Sequence, residues 1–79
     1  MRWTWDPRKD RSNRRKHGLS FETASRVFDD RLALSRPGDA TEEERWQTVG
    51  EIEGVIVFVV HTWPLLGDSG EEIGRIISA

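Results

Sequence analysis

Two histidines, His17 and His61, are the only side chains in this chain that ordinarily titrate close to neutral pH. They are therefore the first candidates for moving a proton in a reaction. They stand far apart, with no carboxylate at ligand spacing. There is no cysteine at all, so no metal site, thiol nucleophile or disulfide framework is expected. No Ser-His-Asp signature, Gly-rich phosphate loop or nucleotide-binding glycine pattern is present, and no cofactor is expected. What remains is arginine and lysine close to histidine: Arg14, Arg15 and Lys16 run into His17, Arg45 precedes Trp46, and Arg75 lies between Ile73 and Ile77. That set suits metal-independent cleavage of RNA through its 2′-hydroxyl. A base removes the 2′-OH proton, an acid protonates the departing 5′-oxygen, and Arg or Lys offsets the charge of the phosphorane. The same residue types also bind phosphate without chemistry, and each has a structural use. His17 suits a helix C-terminus, His61 a hydrogen-bonded place at a strand end, Arg75 a cover over apolar surface, and Trp46 the core as readily as a base-stacking platform.

The elements that must position these residues are legible in part. Trp5-Asp6-Pro7 to His17-Gly18 reads as a short basic helix with both ends written in. Asp6 is an N-cap and Pro7 falls at the first helical position. Gly18 supplies the left-handed stop. Arg2 to Trp5 is a first strand. Ser20 caps a second helix reaching Phe28, with Phe21, Ala24, Val27 and Phe28 as its buried stripe. Arg31 to Arg36 is a strand with Leu32 and Leu34 on one face. A turn follows at Pro37-Gly38-Asp39, then an acidic loop at Thr41 to Glu44. Arg45 to Glu51 and Val55 to Val60 pair across a tight Glu53-Gly54 turn. The second of these strands, apolar throughout, is expected to be central and covered on both faces. Leu66 to Gly70 reads as a loop, and Glu72 to Ser78 as a last strand. The order β-α-α-β-β-β-β predicts an α+β fold, an antiparallel sheet with the two N-terminal helices packed on one face.

Seventy-nine residues predict one domain. No apolar run reaches membrane-spanning length and no signal peptide opens the chain, so a soluble cytoplasmic protein is expected. The formal net charge of −2 is unevenly spread. Residues 1–17 carry seven Lys/Arg against two Asp, a balance of +5. The rest carries five Arg against twelve acidic residues, a balance of −7. A local basic patch on an acidic body points to an anionic partner met at one place, not to indiscriminate nucleic-acid binding.

The run Trp5-Asp6-Pro7-x-Lys9-x-x-x-Asn13-x-x-Lys16-His17-Gly18-Leu19-Ser20-Phe21 resembles the opening signature of the BrnT toxin family. The likeness continues through Ala24, Val27-Phe28 and Asp30, Glu44-Arg45-Trp46-x-x-Val49-Gly50, Val59-Val60-His61-Thr62 and Arg75-Ile76-Ile77-Ser78-Ala79. It implies a RelE-like fold and a ribonuclease toxin of a type II toxin–antitoxin system that arrests translation. It also implies neutralisation by a BrnA-like ribbon-helix-helix antitoxin, with operator DNA bound only through their complex. The residues it points to are Lys16, His17, Arg45, Trp46, His61 and Arg75. His61 or His17 would be acid or base, and Arg45, Arg75 and Lys16 would lie on phosphate. Two departures stand out. Trp63-Pro64 follows His-Thr where the family carries an acidic and then a basic residue, and the family's basic C-terminal helix does not follow Ala79. Both lead to the alternative expectation of a weakened toxin that captures antitoxin or nucleic acid without cutting.

Overall fold

A computed structural model describes residues 2–38, 45–62, 65–66 and 70–79. The element order is β1 (Arg2–Trp5), α1 (Pro7–His17), α2 (Phe21–Ala24), a 3₁₀ helix (Ser25–Asp29), β2 (Leu34–Pro37), β3 (Trp46–Ile52), β4 (Val55–His61), β5 (Leu65–Leu66) and β6 (Glu72–Ser78). The class is α+β, as the order of elements predicts. The six strands form one sheet in the order β1-β6-β4-β3-β2, with the short β5 paired to β6.

The sheet is mixed, not purely antiparallel. β1 lies parallel to β6, with Arg2 opposite Ile73 and Trp5 opposite Ile76. Parallel neighbours need a long crossover, and everything from α1 to β5 serves as one. The β3–β4 hairpin has the expected turn. Glu53 and Gly54 both have positive φ, 49° and 84°, which a two-residue turn of this twist requires. Leu66, expected in a loop, instead pairs with Glu72 in the sheet. The turn at Pro37-Gly38-Asp39 and the acidic loop to Glu44 fall largely outside the described residues. Gly38 N–H donates to the Arg45 carbonyl across the gap, at 2.6 Å.

One helical and one strand boundary differ from expectation for local reasons. The second helix changes to 3₁₀ at Ser25, whose hydroxyl donates to the Glu22 carbonyl at 2.6 Å. That carbonyl is the acceptor an α-helix would assign to the Arg26 N–H, so the coil tightens. β2 begins at Leu34, not Arg31. The Asp30 carboxylate accepts from Leu32 N–H at 3.0 Å, and its carbonyl accepts from Ala33 N–H at 3.1 Å. This side-chain-closed turn takes up residues 30–33 before the strand can start. Leu32 is consequently exposed.

The core lies between the helices and one sheet face: Phe21, Ala24 and Val27 meet Ile52, Val57, Val59 and Ile76. Two strand glycines make this approach possible. A Cβ on Gly50 would sit 2.6 Å from Val27, and one on Gly74 would run into the Trp3 indole. The other sheet face is open. β4 is central but covered on one side only, since Ile56 is 69% and Phe58 47% exposed. The uniform apolar run conceals an ordinary alternation. Val57, Val59 and His61 point to the helices, while Ile56 and Phe58 point away.

Candidate functional site

α1 is built to display cations. Asp6 caps it, accepting from Arg8 N–H at 2.9 Å, and Gly18 ends it at φ 69°, its N–H donating to the Arg14 carbonyl. The helix's one interior acid, Asp10, is turned away from the solvent face. Its carboxylate accepts from Phe21 N–H at 2.8 Å and so holds the start of α2. Asn13, the buried residue of α1, donates to the Leu19 carbonyl at 3.0 Å and accepts from Ala79 N–H at 3.3 Å. One side chain thus fixes the helix against the following turn and the end of β6. The polar residues facing inward are used for tethering, and Arg8, Lys9, Arg11, Arg14, Arg15, Lys16 and His17 are left exposed.

Within that surface Arg11, Arg14, Arg15 and Gly18 recur at one-face helical spacing and line an open groove of about 640 Å³. Arg11 belongs to none of the sequence motifs, although its spacing to Arg14 and Arg15 is the signal that finds it. His17 and Gly18 turn the corner into a second groove, about 620 Å³, whose far wall is β4.

His61 lies elsewhere. It is 1% exposed, with its ring edge-on to Trp3 and to Phe28 at centroid distances of 5.2 and 4.9 Å. Those two rings stack on each other at 3.9 Å. His61 Nδ1 is 2.8 Å from the Thr62 carbonyl, and Nε2 is 2.6 Å from Thr48 Oγ1. Thr48 Oγ1 is in turn 2.7 Å from Ser35 Oγ. A carbonyl can only accept, so Nδ1 carries the proton and Nε2 accepts from Thr48. Thr48 must then accept from Ser35. All three donors run one way, from the edge strand β2 through β3 into β4. Burial disfavours the imidazolium and lowers the His61 pKa from its ordinary value, against an opposing effect of the Thr62 bond.

The remaining candidates divide between the two sheet faces. Trp46 is half-buried beside His61, its partner across the β3–β4 ladder. Arg45 is exposed just ahead of β3. Arg75 shares its face with Ile73 and Ile77 on β6, opposite the face that buries Ile76 and His61. Its backbone is clamped to Thr62, with N–H to Thr62 Oγ1 at 2.9 Å and the carbonyl accepting Thr62 N–H at 2.9 Å. The structure therefore brings Arg14, Arg15, Lys16 and His17 together, with Arg11 added. It pairs Trp46 with His61 inside, and puts Arg75 on the open face. Trp63 and Pro64 lie outside the described residues. Among the described residues no three His, Asp or Glu side chains gather at metal-binding distance, and no helix is long and apolar enough to cross a membrane.

No curated protein matches the chain at a meaningful level. A family model does, described as the ribonuclease toxin BrnT of type II toxin–antitoxin systems, and it spans residues 5–79. The span runs from the last residue of β1 and the capped start of α1 through the buried histidine strand to the end of β6, and leaves out Trp3, the β1 residue that packs on His61. The chain belongs to the BrnT family of ribonuclease toxins.

Proposed function

We propose that this chain is the toxin of a type II pair, a cytoplasmic single-domain endoribonuclease of the RelE-like type. In this reading it cleaves RNA without a metal, arrests translation, and is held silent by a BrnA-like ribbon-helix-helix antitoxin through whose complex it reaches operator DNA. The observation that carries the reading is the cationic end of α1, where Arg11, Arg14, Arg15 and Lys16 stand exposed beside His17 with the helix's own acid turned inward. The arginines and Lys16 hold phosphates and offset the charge that builds up on phosphorus. His17 takes the 2′-hydroxyl proton. The 2′-oxygen then bonds to the adjacent phosphorus, and the bond to the 5′-oxygen breaks with a proton supplied by water. The products are a 2′,3′-cyclic phosphate and a 5′-hydroxyl end. Arg75 and Arg45 extend the phosphate path over the strands. His61, enclosed with its tautomer fixed, positions Thr62 and through it the Arg75 backbone.

Purified chain incubated with end-labelled RNA in a chelating buffer is expected to leave cyclic-phosphate ends. His17→Ala should slow cleavage by about 10²-fold or more with the thermal midpoint unchanged. An intact chain that leaves RNA whole on and off the ribosome overturns the enzyme reading. The enclosure of His61 favours a second reading, a domain that captures its antitoxin and cuts nothing. It requires stable antitoxin binding together with no growth arrest on expression, and arrest reversed by the antitoxin excludes it.

A further inference from the structure

β4 ends at His61, and the way it ends sets the backbone of the residue that follows on the facing strand. The β4–β6 ladder is already irregular there. Val60 lies opposite Ser78 and His61 opposite Ile76, so Ile77 is an extra residue on β6, a bulge of the kind that redirects a strand. The next pair is Thr62 and Arg75. Residues facing each other in this phase of an antiparallel ladder exchange both backbone bonds, and here only half of the exchange is made. Thr62 N–H donates to the Arg75 carbonyl at 2.9 Å. Arg75 N–H, whose ordinary acceptor is the Thr62 carbonyl, donates instead to Thr62 Oγ1 at 2.9 Å. The imidazole has taken the carbonyl, which accepts from His61 Nδ1 at 2.8 Å. That capture needs the proton on Nδ1. Thr48 keeps it there by donating to Nε2 at 2.6 Å, and itself accepts from Ser35 at 2.7 Å. A chain of hydroxyls thus runs from β2 across β3 into β4, and its last effect is to put a side-chain oxygen where Arg75 would meet a ladder carbonyl.

We propose that Thr62 is a positioning residue for RNA binding: with its carbonyl held by His61, its hydroxyl fixes the backbone of Arg75 beside the bulge and so aims the guanidinium at a phosphate. The inference rests on the ribonuclease reading above and deepens it at Arg75, by naming what directs that side chain. An N–H bound to a side-chain hydroxyl lies on a different line from one bound to the main-chain carbonyl, and the backbone at Arg75 turns with it. Arg75 is exposed on the face away from Ile76 and His61, so the Thr62 hydroxyl carries the effect of a buried histidine to a cation on the outside of the sheet. Serine can make the same bond, whereas valine has the shape of threonine and no acceptor. Thr48 supports the arrangement from within. It is 1% exposed, and without its hydroxyl Nε2 would be a buried acceptor lacking that donor.

The test is a double-mutant cycle on affinity for a fluorescently labelled 2′-O-methyl RNA, which has no 2′-hydroxyl to react and so reports binding alone. Arg75→Ala is expected to weaken binding by about tenfold at low salt. Thr62→Val should weaken it by about three- to tenfold in the parent chain, and Thr62→Ser should recover the loss. Once Arg75 is alanine, Thr62→Val should add nothing. Equal losses from Thr62→Val with and without Arg75, or serine and valine behaving alike, overturn the positioning role. Binding that ignores Arg75→Ala takes Arg75 off the RNA path and the inference with it, while the reading of α1 stands. A cycle that holds while unmethylated RNA stays whole supports the positioning of Arg75 and overturns the enzyme reading instead. A chain that binds no RNA overturns both.

Discussion

His61 shows how much of a histidine's role is decided by the side of the strand it occupies. It shares the parity of Val57 and Val59, both buried, and that parity was readable in the sequence. What could not be read was the chain of hydroxyls that receives it, because Ser35 and Thr48 are brought to it by strand pairing. A histidine held neutral in the fold has a definite pH signature. Its pKa is lowered in the folded state by burial and stays near 6.5 when unfolded. Below about 6.5 the unfolded chain therefore binds a proton that the folded one refuses, so stability is expected to fall as pH drops from 7 to 5, by at most about 1.4 kcal/mol per pH unit, and to stay level above. Urea midpoints across that range measure it, and His61→Gln should flatten the profile. Asp30 acts in a separate, more acidic window. Its carboxylate, lowered by the N–H groups of Leu32 and Glu51, stabilises above about 3.8, and that contribution disappears as pH falls through its folded value. A decline that begins only near pH 4 would assign the pH response to carboxylates and leave His61 without a part in it.

At the level of elements, legibility followed the distance between cause and effect along the chain. α1 was readable to the residue because Asp6, Pro7 and Gly18 act within one turn of where they stand. The parallel pairing of β1 with β6 was not, because no local signal records a partner some seventy residues away. The open face of β4 was hidden for a different reason: an unbroken apolar run reads the same whether one face is covered or two. Gly74 records the β1–β6 pairing most directly. Its bare backbone makes room for the Trp3 ring, which in turn packs on Phe28 and His61. Gly74→Ala is expected to push the indole off the sheet and cost about 1–3 kcal/mol, a fall of several degrees in the thermal midpoint for a chain of this size. Tryptophan fluorescence should report a displaced ring in the same variant. A midpoint within a degree of the parent would mean that Trp3 and β1 are not held against β6 in this way.

Over the whole molecule the charges are segregated, +5 in residues 1–17 and −7 beyond them, and the fold preserves the separation by placing the cations on one exposed helix. Two explanations of RNA affinity then compete: local phosphate binding on α1, or a general effect of net charge. Arg14→Glu with Arg15→Glu lowers the net charge by four units, and so does Arg26→Glu with Arg31→Glu. The second pair lies on the acidic body, where Arg26 already pairs with Glu53 at 3.2 Å. If the groove beside Gly18 holds phosphate, the α1 pair is expected to weaken RNA binding by about 10–100-fold at low salt. It should also flatten the dependence of log affinity on log salt by roughly two, one for each phosphate no longer held. The body pair should shift affinity only slightly and leave the slope unchanged, because the slope counts counterions released where RNA is bound and not the charge of the molecule. Both variants should fold, since all four arginines are exposed. Equal losses of affinity from the two pairs would make the effect one of net charge and return α1 to the role of a solvated face.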